Sequence, residues 1–219
     1  MRGFLHSMVA GAVLAMGLSA AASAASLTAT FNSVGPYNSI SVSTDGAANF
    51  TGLPSGLMNW TKTGGDYAGV NGNFTTFCIE LTEYVSGGGS YVYNIVSPDL
   101  APTSLGGMGL AKADELSELF GRFYAGLNFS DADEMTAMQI SVWNIVYDGD
   151  LTLAAGPFQV TNGGAYYGLA NAMLGALDGT GPHAALDAMA AVGVQDQIVP
   201  EPASLALLAA GLLLGRPRR

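Results

Sequence analysis

The sequence predicts an α+β fold in which N-terminal antiparallel β-strands are followed by a helical half, all in a single domain. Three observations predict it. The first half alternates apolar and polar residues, the second half carries apolar residues at helical spacing, and 30 glycines among 219 residues are too many for an all-helical body.

Leu27-Thr28-Ala29-Thr30-Phe31 and Ser39-Ile40-Ser41-Val42-Ser43 alternate as half-buried strands do. Gly35-Pro36 and Asp45-Gly46 are turn signals between and after them. Residues 74–81 read as a strand, and residues 91–96, after Gly87-Gly88-Gly89, read as its hairpin partner. Leu116, Leu119, Phe120, Phe123, Tyr124 and Leu127 form a helical stripe over 110–127, weakened by Gly121. Ser130-Asp131-Ala132-Asp133 resembles a helix start, with acidic residues suited to a first turn. That helix runs from 131 to about 147 and stops at Asp148-Gly149. Met135, Met138, Val142, Ile145 and Val146 line one face, and Ala137, Ile140 and Trp143 widen it, so the helix is expected to be central. Two weaker helices are expected near 165–177 and 183–191, split by Gly179-Thr180-Gly181-Pro182.

Between residues 25 and 198 the basic side chains are Lys62, Lys112 and Arg122, against 16 acidic ones. Such a body repels phosphate backbones, so no nucleic-acid partner is expected. Its one histidine is His183, too few for a His-based metal site or a Ser-His-Asp triad. No phosphate loop or dinucleotide fingerprint is present, and no cofactor or metal is expected. Asp114, Glu115, Glu118, Asp131, Asp133 and Glu134 stand near helix starts, where acidic residues belong for structural reasons. The body therefore reads as non-enzymatic, with a hydrolase using two carboxylates as the remote alternative.

Both ends carry processing signals. Arg2 precedes an apolar run from Met8 to about Leu18, and Ala22-Ser23-Ala24 offers small residues for signal-peptidase cleavage after Ala24. Residues 1–24 are thus expected to be a signal peptide. At the other end, Val199-Pro200-Glu201-Pro202 is held extended by its prolines. Residues 203–215 form an apolar segment whose helical length of about 20 Å falls short of the roughly 30 Å bilayer core. Arg216, Arg218 and Arg219 close the chain and would stay on the cytoplasmic side. This order over 199–219 resembles the PEP-CTERM sorting signal of Gram-negative, biofilm-forming bacteria. The resemblance implies an exosortase-type membrane protease as partner. It also implies transient inner-membrane association through 203–215 and delivery to the outer surface or extracellular matrix. Pro217 within a short basic cluster departs from the usual pattern.

Cys78 is the only cysteine, so it has no internal disulfide partner. Phe77 and Ile79 flank it on the predicted strand. Gln139 lies on the predicted central helix among Met135, Met138, Val142, Trp143 and Val146, where a buried amide needs partners or a task. A thiolate that attacks such an amide carbonyl in a dry pocket expels ammonia and leaves an internal thioester, a stored electrophile for an amine or hydroxyl. Phe77-Cys78-Ile79 and Gln139-Ile140-Ser141-Val142-Trp143 resemble the paired motifs of the thioester domains of bacterial surface adhesins. The resemblance covers about residues 74–147. It implies Cys78 as thioester sulfur, Gln139 as acyl donor and covalent adhesion as the task. Phe77, Ile79, Val142 and Trp143 are the expected shield. The departure is context, because the best-known examples sit on Gram-positive walls. The alternative is a non-covalent structural or carbohydrate-binding component of the matrix, with Cys78 and Gln139 as ordinary core residues.

Overall fold

The computed structural model describes residues 25–161 and 163–200. Seven strands form β1 (Ser26–Ser43), β2 (Thr51–Gly64), β3 (Asn73–Cys78), β4 (Ser90–Val96), β5 (Gln159–Val160), β6 (Leu186–Ala191) and β7 (Val194–Pro200). Three α-helices are α1 (Leu110–Phe123), α2 (Ala132–Tyr147) and α3 (Ala165–Leu174). All pairings are antiparallel and run β2-β3-β7-β6-β4-β1, with β1 pairing back onto β2. The six strands therefore close a barrel, and β5 adds only a short extension to the far end of β1.

This corrects the expected α+β fold, with strands first and a helical half after them. The expected helix at 183–191 is β6, and β7 follows it across a tight turn at Val192-Gly193. Alanine is the strongest intrinsic helix former, and Leu186–Ala191 is half alanine. Local preference loses here because β6 fills the place between β4 and β7 that closes the barrel. Strand β2 was also not expected. Pro54 and its two internal glycines hide the strand pattern, although Pro54 simply takes a register position opposite Ser39. The expected hairpin of 74–81 with 91–96 does not form: β3 pairs with β2 and β7, whereas β4 pairs with β1 and β6. Gly35-Pro36 makes no chain reversal. It sits at a register shift within β1, which continues through both expected strands as one element.

Inward positions follow period two. Leu27, Ala29 and Phe31 of β1 are buried while their neighbours are less so. Trp60 fills the barrel, tilted on Phe31 at 5.1 Å and edge-on to Tyr93 at 5.8 Å. Its indole N–H donates to Thr76 Oγ1 at 2.9 Å, and that hydroxyl donates to Gln197 Oε1 at 2.9 Å, so the ring's polar edge is satisfied inside the barrel.

Helix α2 occurs as expected and is buried from Met135 to Val146. Asp131 caps it, its carboxylate accepting from Asp133 N at 2.8 Å and Glu134 N at 3.2 Å. Replacing Asp131 by alanine is expected to cost about 1 kcal/mol, read as a lower urea midpoint without a change in slope. Glu118 of α1 is buried. Burial alone would raise its carboxyl. Arg122 at 2.7 Å and the N–H groups of Gly179, Gly181 and Asp178 instead hold it at about 2.

Strand β7 carries the chain through Val199 and Pro200, which pair with Asp187 and Leu186, and Val199 is buried. Glu201, Pro202, the apolar segment 203–215, Arg216, Arg218, Arg219 and the expected signal peptide 1–24 lie outside the described residues. Among the described residues no helix is long and apolar enough to cross a membrane.

Candidate functional site

Helix α2 is inserted where the barrel wall opens. Strands β2 and β3 pair only as far as Met58↔Thr76, so Phe77 and Cys78 continue with β7 on one side and no strand on the other. Gln139 takes the place of that missing strand. Cys78 N donates to Gln139 Oε1 at 2.9 Å, and Gln139 Nε2 donates to Cys78 O at 2.7 Å. One helical turn earlier, Thr136 does the same for the neighbouring strands. Its hydroxyl donates to Ser55 O at 2.7 Å and accepts from Asn38 N at 2.9 Å. The buried amide that looked anomalous on an apolar helix thus completes a backbone ladder.

Cys78 and Gln139, 61 residues apart in sequence, also line one cavity of about 140 Å³. Its walls include Phe31, Val34, Met58, Leu81 and Trp143, and Tyr84, 68% exposed, stands at its outer edge. Among the described residues no charged side chain lines it. Of the expected shield, Trp143 is a wall of this cavity, whereas Phe77 turns its ring to Phe120 of α1 at 5.9 Å. Ile79 and Val142 are fully buried core.

The thiol donates to Glu80 O at 2.6 Å, and Glu80 N donates to the sulfur at 3.2 Å. Burial pushes the thiol up to about 12, opposed by the Glu80 N–H and by the Trp143 indole, while Glu80 and Asp196 push it further up. The three cations of the body are engaged elsewhere: Lys62 on Tyr67 O, Lys112 on Val146 O, and Arg122 on Glu118 and Asp178.

Two buried carboxylates behind the site were missed in the sequence. Asp196 accepts from Thr103 N at 2.6 Å and Ala191 N at 2.7 Å, and its own N–H donates to Glu80 Oε2 at 3.2 Å. Glu80 stands two residues after Cys78, a spacing that puts it beside the sulfur at a strand end; Asp196 lies in β7, where no element was expected. Among the described residues no group of three or more His, Cys, Asp or Glu is arranged to hold a metal ion. His183 pairs at the surface with Asp114 at 3.3 Å. No protein-family model, curated protein or solved structure matches this chain.

Proposed function

We propose that the chain is an exported surface or matrix protein, trimmed at both ends, whose barrel forms an internal Cys78–Gln139 thioester and spends it once on an amine or hydroxyl of a target. The observation that carries this reading is the 2.9 Å bond from Cys78 N–H to Gln139 Oε1. The residue that supplies the nucleophile also supplies a donor to the carbonyl under attack. As sulfur adds to Cδ, negative charge grows on Oε1, where that N–H already points. The Sγ–Cδ bond forms, the Cδ–Nε2 bond breaks, and the thiol proton leaves on nitrogen as ammonia. The apolar walls limit the water that would hydrolyse the product. The acidic body and the terminal segments fit a role outside the cell, with an exosortase-type protease and signal peptidase as processing partners.

The amide clamp also supports a second reading, a non-covalent matrix component, because both polar atoms of the Gln139 amide are hydrogen-bonded without any chemistry. Intact-mass measurement of the processed protein separates the two. A deficit of one ammonia, absent in Cys78→Ala, is expected. Full mass with a thiol that titrates after unfolding would rule the thioester out. The same spectrum reads the ends, expected after Ala24 and C-terminal to Pro200, since β7 holds Val199 and Pro200 in the barrel.

A further inference from the structure

We infer that Trp143 is a hydrogen-donor positioning residue for the Cys78 sulfur, supplying its indole N–H to the charge that sulfur carries when the thioester forms and when it is opened. The inference rests on the thioester reading and assigns a part of that chemistry to a residue of the expected shield.

Trp143 follows Gln139 by four residues on α2, so both side chains project from one face of the helix toward the same place. Gln139 is anchored on the Cys78 backbone at 2.7 and 2.9 Å, and Cys78, Gln139 and Trp143 wall one cavity. Trp143 is only 3% exposed, yet among the described residues its Nε1 makes no hydrogen bond of normal geometry. A buried indole N–H normally finds one. Trp60, the other tryptophan, has its partner in Thr76. Trp143 thus carries an unpaired N–H in the wall of the cavity that holds the reacting sulfur, the group that becomes anionic. It already favours the thiolate over the thiol.

The need for such a donor follows from what surrounds the sulfur. Glu80 and Asp196 are the carboxylates near it, and the Tyr93 and Tyr147 hydroxyls are the other titratable groups it interacts with. None is cationic, and among the described residues no cation lines the cavity. A sulfur leaving Cδ as thiolate therefore has the Glu80 N–H and the indole N–H to receive its charge. When an amine or hydroxyl attacks the thioester, its oxygen or nitrogen bonds to Cδ, the Cδ–Sγ bond breaks, and the electron pair goes to sulfur. The nucleophile's proton ends on that sulfur.

The test compares wild type, Trp143→Phe and Trp143→His. Phenylalanine keeps an apolar ring and removes the N–H; histidine restores a ring N–H. Refolded protein is followed by intact mass for ammonia loss, and preformed thioester is followed during reaction with methylamine. The Phe variant is expected to slow both steps by about 10- to 100-fold, the loss set by one hydrogen bond to a charged group, with thermal unfolding close to wild type. The His variant is expected to recover part of the rate. A Phe variant as fast as wild type overturns the inference, and so do Phe and His variants that are equally slow, which would mark Trp143 as packing alone. If wild type shows full mass, the thioester reading fails, and the donor role is then read from the pH profile of Cys78 alkylation by iodoacetamide. That profile is expected to move to higher pH in Trp143→Phe and back in Trp143→His; coincident profiles would overturn the donor role too.

Discussion

Gln139→Ala is expected to be the most destabilising of the site substitutions, and by a different route from Cys78→Ala. The proposed thioester would close an interval of 61 residues between Cys78 and Gln139. Treated as a cross-link, that closure stabilises by about 4 kcal/mol through the chain entropy it removes from the unfolded state. Both substitutions lose this. Cys78→Ala keeps the amide clamp, because the clamp uses the backbone of residue 78 and not its side chain. Gln139→Ala leaves that N–H and that C=O buried without partners, at a further cost of about 2–4 kcal/mol. The extra loss corresponds to a Tm roughly 5–15 °C below that of Cys78→Ala. Urea unfolding of the three proteins measures the two increments separately. Equal stability of the two variants would mean that the clamp contributes nothing, and that β3 is held at Cys78 by β7 alone.

Asp196 is expected to make the barrel less stable as pH rises from about 4 to 6. Burial raises its carboxyl from 3.8 to about 6, with the Thr103 and Ala191 N–H groups opposing and Glu80 adding to the rise. The folded state therefore keeps a proton that the unfolded chain releases in this window. The unfolded state binds fewer protons there, so the free energy of unfolding falls with pH. The contribution is fully present below the unfolded value and lost through the folded one, in total about 3 kcal/mol. Urea midpoints taken between pH 4 and 7 should decline in the wild type. Asp196→Asn removes the titrating group and should flatten the curve across that window. An unchanged slope in the Asn variant would assign the titration to another group.

Helix α2 was legible because its signals are local. Asp131 caps it, Asp148-Gly149 ends it, and its apolar residues recur at helical spacing. The polar residues that matter on it were only half legible. Gln139 stood out because nothing else on its face is an amide, yet its partner is a main chain 61 residues away. Thr136 gave no signal, since a threonine on a helix is ordinary until Ser55 O and Asn38 N are found against it. The β6–β7 hairpin was illegible for a third reason. Its alanines favour helix in isolation, and strand is chosen only because β4 and β3 stand ready on either side.

By itself the sequence determined the chemistry this protein has to work with. It holds one thiol, a glutamine amide among the apolar residues of a helix, an acidic body poor in cations, and terminal segments that read as processing signals. Those are matters of residue identity, and identity does not depend on folding. The tertiary structure alone decided that the strands close into a barrel, that a gap between β2 and β3 is filled by the Gln139 amide, and that this same insertion sets the amide beside the thiol in one cavity. The reason is that backbone hydrogen bonding must be completed wherever it is buried. Where the β2–β3 ladder ends, a side chain has to complete it, and the sequence does not show where a ladder will end.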